Sequence, residues 1–192
     1  AYAELIDKIF NNSEYGVILA VYPSYEFMNH VLQYLEGAEP SIIETDDLSI
    51  GNVLAKCREL TKVLINAVAG GKFTEGIEII RNGESLIKVI IIAGVPYPQP
   101  DDYINAIKSI MTSRGSSFSD FYRVIAATRT LQALGRAIRS KEDYAIAILA
   151  DYRFLDPALL KLLRLRIRAA TRSLSRLVFL VKAFYEQLKM LR

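Results

Sequence analysis

The sequence predicts an α/β fold: a mostly parallel sheet with helices on both faces, followed by a long C-terminal helix. Three observations predict it. The runs Gly16–Tyr22, Lys62–Ala67 and Leu86–Ala93 are apolar almost throughout rather than alternating, which is the pattern of strands covered on both faces of a parallel sheet. Amphipathic segments of helical period separate them. The chain closes on a stripe, Leu163, Ile167, Ala170, Leu174, Leu177, Val181, Phe184 and Leu188, spaced alternately by four and three, as on one face of a single helix.

Taken in order, the chain enters on a helix-like pattern and reaches the buried strand Gly16–Tyr22. Ser24 suits the N-cap of a helix running to about Leu35. Ser41–Glu44 is a short strand, Ile50–Leu60 a helix and Lys62–Ala67 a second buried strand. After the strand Leu86–Ala93, the loop Tyr97-Pro98-Gln99-Pro100 is rigid and lies where such sheets bind ligands. Asp101–Met111 reads as a helix with acids in its first turn, Phe118–Arg139 as one long helix and Tyr144–Ala150 as the last strand. Residues 1–155 are expected to form one lobe, with 156–192 a basic amphipathic helical extension packed on it. Beside the apolar stripe of that extension, Arg164, Arg168, Arg172 and Arg176 recur every four residues. From Lys161 onward nine Lys or Arg stand against one acid, Glu186. This basic face is either the solvated side of a packed helix or a surface for phosphates or a partner.

Composition excludes several function classes. The chain has 192 residues, 52% of them hydrophobic, with a net charge of +3. It can bury a core, and the overall charge does not by itself call for nucleic acid. One cysteine, Cys57, makes neither an internal disulfide nor a metal cluster, so an intracellular setting is expected. Its neighbours Lys56 and Arg58 could lower a thiol pKa, but with no histidine nearby it reads as structural. The only histidine, His30, sits in a helical pattern, leaving little room for His-based catalysis or a metal site. The apolar runs Val89–Val95 and Leu177–Val181 are far too short for a membrane span.

The most informative stretch is Gln132-Ala133-Leu134-Gly135-Arg136-Ala137-Ile138-Arg139. On a helix, Gln132, Gly135, Arg136 and Arg139 share one face. Two always-charged planar forks side by side suit the spread charge of a transferring phosphoryl group. Gln132 can orient a water or read a phosphate edge, and Gly135 lets a nucleotide or backbone approach.

This run, followed by Asp143-Tyr144, resembles motif VI of the XPD/DinG helicases of superfamily 2. Four more segments match that family in order. Gly16–Tyr22 with Pro23-Ser24-Tyr25 is similar to motif IV, and Ala67 to Glu78 to motif V. Ile92-Ala93-Gly94-Val95-Pro96-Tyr97 and Asp151-Tyr152-Arg153-Phe154 resemble the family's G-V-P-Y and D-x-R-F segments. Together the matches span about residues 16–154. The resemblance implies a RecA-like three-layer domain, the second lobe of a 5′-to-3′ DNA helicase motor.

In that setting Arg136 and Arg139 would be arginine fingers for ATP bound on another lobe, with Gln132, Gly135, Gly76 and Glu78 near the nucleotide. Ser24, Tyr25, Gly71, Lys72 and Glu75 would line the single-stranded DNA track. The chain departs from the family at Gly70, where Arg is usual before the Gly-Lys of motif V, at Pro23 and at Ala145. It holds no phosphate-binding loop and no Asp-Glu-x-His box. ATP and Mg²⁺ are therefore expected on a first lobe upstream, which in many relatives also carries an iron–sulfur cluster. The chain alone is expected to be an inactive monomer whose partners are ATP, single-stranded DNA and that first lobe. The alternative is a non-catalytic DNA- or protein-interaction domain that keeps the helicase fold.

Overall fold

Strand β1 (Gly16–Tyr22) is apolar on both sides because both sides are covered. Val17, Leu19 and Val21 enter one core cluster, and Ile18, Ala20 and Tyr22 enter the other. In the computed structural model, which describes residues 1–191, β1 is the central strand. It pairs in parallel with β3 (Lys62–Val68) on one side and β6 (Ile87–Ile92) on the other. β2 (Ser41–Ile43) adds outside β3 and β7 (Ile146–Leu149) outside β6, both in parallel, for the order β2-β3-β1-β6-β7.

Helices cover the two faces. Onto the first pack α3 (Ile50–Glu59), α4 (Lys72–Glu75), α6 (Phe118–Ala137) and α7 (Pro157–Leu163), through Val53, Phe73, Ala126, Ala133, Leu159 and Leu163. Onto the second pack α1 (Tyr2–Asn12), α2 (Tyr25–Leu32) and α8 (Leu174–Met190), through Ile6, Phe10, Met28, Val31, Val181 and Tyr185. The fully buried alanines of α6 let that long helix lie close on the sheet. A further helix, α5 (Asp102–Ser113), packs against α6. This is the expected three-layer α/β architecture.

Three elements differ from expectation. The single C-terminal helix is two. α7 ends at Arg164, which takes a left-handed conformation at φ 51°, and residues 165–173 are non-helical before α8. Like charges four apart, Arg164, Arg168 and Arg172, disfavour a helix there. Ser173 then starts a new one by accepting from the Arg176 N–H. Ile167 and Ala170 are exposed, so the stripe is interrupted: Leu163 enters the core from α7, and Val181 and Leu188, with Tyr185, enter it from α8. Second, α6 stops at Ala137, and Ile138 is extended. The Asp143 carboxylate draws the N–H groups of Arg139 and Ser140 to itself, so Arg139 lies beyond the helix rather than on its face. Third, a small antiparallel hairpin, β4 (Ile80–Arg81) and β5 (Glu84–Ser85), precedes β6. Its cue is Asn82-Gly83, both at positive φ, the residue pair favoured in tight hairpin turns.

Candidate functional site

The site is assembled from two neighbourhoods that α4 connects. The first is the carboxyl edge of β1, β2 and β3. Beyond β1, the Ser24 hydroxyl accepts from the Phe27 N–H at 3.2 Å and so caps α2. The next residue, Tyr25, is 42% exposed, which removes it from the core. Beyond β2 stands Glu44, 1% exposed. Its carboxylate accepts from the Val68 N–H at 2.9 Å and from the Lys72 N–H. Glu44 thereby clamps the Gly70-Gly71-Lys72 turn that follows β3. The Lys72 ammonium donates to the carbonyls of Thr45 and Asp46. Thr74, fully buried, closes the turn by accepting from Gly70 N–H at 2.9 Å.

Two glycines of this turn have separate physical reasons. Gly70 is at φ +84°, a region that side-chain-bearing residues rarely occupy. The chain thus has a conformational use for glycine at the position where the resemblance to motif V implied Arg. Gly71 has an ordinary φ of −87°, but a Cβ there would lie 2.4 Å from Glu44 Oε1. Here the clamp itself demands glycine.

The second neighbourhood is the arginine pair. Arg136, in the last turn of α6, donates from Nε to the Thr74 carbonyl at 3.0 Å and from Nη2 to the Glu75 carbonyl at 3.0 Å. Arg139 Nη2 forms an ion pair with Glu78. The Glu78 hydrogen bond holds the Arg139 guanidinium above its usual range, and the same bond lowers the Glu78 carboxyl. Asp143 supports the pair from behind: it accepts from Ser85 N–H at 2.7 Å and from the N–H groups of Arg139 and Ser140 at 2.9 Å each. Burial pushes the Asp143 carboxyl up, but the three backbone donors outweigh that and hold it below the usual range.

The expected residues fall into these two groups. Arg136, Arg139, Glu75 and Glu78 meet through contacts between α4, its following loop and the end of α6. Gly76 and Gly135 are exposed beside them, and a Cβ on Gly135 would meet nothing within 4 Å. Gln132 is exposed one turn before Arg136. Ser24, Tyr25, Gly71 and Lys72 belong to the carboxyl edge. Glu44 and Thr74 were missed by sequence reasoning, because a lone acid after a three-residue strand looks like any loop residue. Downstream, Asp151 chelates its own Arg153 through Nε and Nη2, and that guanidinium lies 5.7 Å from the Tyr97 ring, which stacks on Tyr122.

Cys57 is buried, and burial pushes its thiol up to about 11, as suits a structural cysteine rather than one activated by Lys56 and Arg58. Exposed His30 packs edge-on to Tyr34. Among the described residues, no three His, Cys, Asp or Glu are grouped to hold a metal ion, and no helix is long and apolar enough to cross a membrane.

A five-stranded parallel sheet of this order, covered by helices on both faces and with the end of α6 docked on α4 beyond β3, defines a RecA-like lobe. Comparison with known proteins agrees. Residues 6–170 match the family described as "Helicase C-terminal domain". The chain is 35% identical over 155 residues to the ATP-dependent DNA helicase XPD of Sulfolobus acidocaldarius, covering 80% of this chain and 28% of that protein. It is 27% identical over 186 residues to the ATP-dependent DNA helicase CHL1 of Candida albicans, covering 82% of this chain and 21% of that one. A solved XPD helicase superposes with a TM-score of 0.73 at 34% identity, over 85% of this chain and 29% of that one. The C-terminal domain of Saccharomyces cerevisiae Dbp5 shares the fold at 15% identity and a TM-score of 0.55, over 96% and 91% of the two chains. The chain belongs to the helicase C-terminal domain family, as a C-terminal lobe of the XPD group of superfamily 2. It spans less than a third of the length of the XPD and CHL1 relatives it matches.

Proposed function

We propose that this chain is the second motor lobe of an ATP-dependent, 5′-to-3′ DNA helicase. It presents Arg136 and Arg139 to ATP held on a first lobe and carries part of the single-stranded DNA track on its carboxyl edge. The observation that carries this reading is the convergence of both arginines on the Gly71–Glu78 segment, whose other end is clamped at that edge by Glu44.

The chemistry follows from the residues. Two permanently charged forks at one exposed surface fit the oxygens of a phosphoryl group. Arg139 exchanges the Glu78 carboxylate for a phosphate oxygen, so the finger stays ordered between turnovers. Gln132, Gly135 and Gly76 form the rest of the nucleotide-facing surface. The phosphate-binding loop and the Mg²⁺ ligands belong to the first lobe, as does an iron–sulfur cluster in relatives that have one. At the carboxyl edge, Tyr25 offers a ring for base stacking, Ser24, Gly71 and Lys72 belong to the same edge, and Glu75 extends the track toward the arginine pair. Because Arg136 is tied to the carbonyls of α4, a shift of the arginine toward phosphate displaces the turn that Glu44 holds. This couples nucleotide state to the DNA edge.

The test is ATPase activity of the full-length protein, or of this chain combined with a matching first lobe. Arg136→Ala or Arg139→Ala lowers kcat by about 10³ or more. ATPase activity that survives both changes overturns the assignment. One observation favours the rival reading, a non-catalytic interaction domain: both guanidiniums are already satisfied within their own lobe. That reading requires DNA or partner binding that nucleotide does not alter.

A further inference from the structure

The charge of this chain is segregated. Between Asp156 and Glu186 there are seven basic residues and no acidic one, so the remainder of the chain carries 17 basic against 21 acidic residues, a net −4. The structure concentrates that excess further. Arg164, Arg166, Arg168 and Arg172 lie on the exposed, non-helical strap between α7 and α8, and Arg176 is in the first turn of α8. Among the described residues, none of the five side chains makes a hydrogen bond or ion pair; Arg58, Arg81, Arg114 and Arg129 are also unpaired but scattered along the chain, whereas these five fall within 13 consecutive positions. The strap passes from a helix on one face of the sheet to a helix on the other, and none of its arginine side chains is bonded to the arginine pair or to the carboxyl edge of β1 to β3.

A run of five unmatched guanidiniums has no internal structural use. Mutual repulsion is unfavourable, and it breaks the helix that the apolar stripe would otherwise form. Such a run becomes favourable when a polyanion of regular spacing lies along it, because each contact releases condensed counterions. All the cations from Arg164 to Arg176 are Arg, the fork that binds phosphodiester oxygens bidentately.

We propose that the 164–176 strap is a second nucleic-acid contact, a sequence-independent site for the phosphate backbone of single-stranded DNA that engages whether or not nucleotide is bound. It rests on DNA being the substrate of the motor, but not on the arginine-finger assignment or on the track at Tyr25.

The experiment is fluorescence anisotropy of labelled oligo-dT with this chain, over a salt series without nucleotide. It compares the parent with R164Q/R166Q/R168Q/R172Q and with Tyr25→Ala. The four positions are exposed, so melting temperature and circular dichroism should match the parent. If they do not, the pair R168Q/R172Q replaces the quadruple variant. For four single-strand contacts at a slope near 0.7 each, parent affinity should fall about 50-fold more than that of the quadruple variant between about 50 and 200 mM salt. R164K/R166K/R168K/R172K should keep the parent slope with weaker affinity. An unchanged slope in the glutamine variant overturns the proposal, even if Tyr25→Ala weakens binding and so supports the track. A lost slope with no effect of Tyr25→Ala supports the strap and counts against the track. Anionic phosphatidylserine vesicles form a further arm: strap-dependent binding to vesicles but not to oligo-dT also overturns it.

Discussion

Gly71→Ala is the sharpest perturbation the structure offers, because the new methyl has one neighbour of consequence. Its backbone, at φ −87° and ψ −179°, suits any residue, so strain in the chain contributes little. The added Cβ instead lies 2.4 Å from Glu44 Oε1, 2.7 Å from Oε2 and 2.8 Å from Cδ. The carboxylate must move, yet it is 1% exposed and holds the N–H groups of Val68 and Lys72. Hydrogen bonds to a charged acceptor contribute about 1.5–3 kcal/mol each. Displacing both costs about 3 kcal/mol or more, near 6–12 °C in Tm for a chain of this size. Glu44→Ala incurs a similar loss and removes the obstacle. Gly71→Ala in that background should then cost less than about 1 kcal/mol, giving a coupling of about 2 kcal/mol. Urea denaturation of the four proteins measures it. Costs that add within about 0.5 kcal/mol would refute the clamp.

Asp143→Asn should destabilise the chain by about 3 kcal/mol, since one amide oxygen cannot replace a carboxylate that accepts from three backbone donors. Because the folded Asp143 carboxyl is held below its unfolded value, its stabilisation is complete above about pH 5 and is lost as pH falls through the folded pKa. The difference between parent and variant, followed by urea denaturation, should therefore be flat from pH 5 to 8 and shrink near pH 3. Cys57, buried with its thiol raised to about 11, should resist a disulfide reagent at pH 8 in the folded chain and react on unfolding. Fast native labelling would contradict its place on the buried face of α3.

The sequence by itself determined the layer architecture, since a strand such as β1, apolar at consecutive positions, is stable only with helices on both sides. It also placed Gln132 to Ala137 on a helix and the cap at Ser24, because helical spacing and capping are local. Segments fixed by long-range contacts were decided only in three dimensions. Arg139 left the helix because Asp143 competes for its backbone. Gly71 is glycine because Glu44, 27 positions earlier in the chain, occupies the space a side chain would need. The apolar stripe after Leu163 broke because charge repulsion outweighed its periodicity, and that break put the arginines on an exposed strap. Local patterns report what a residue prefers; only packing and charge in the assembled fold decide which preference prevails.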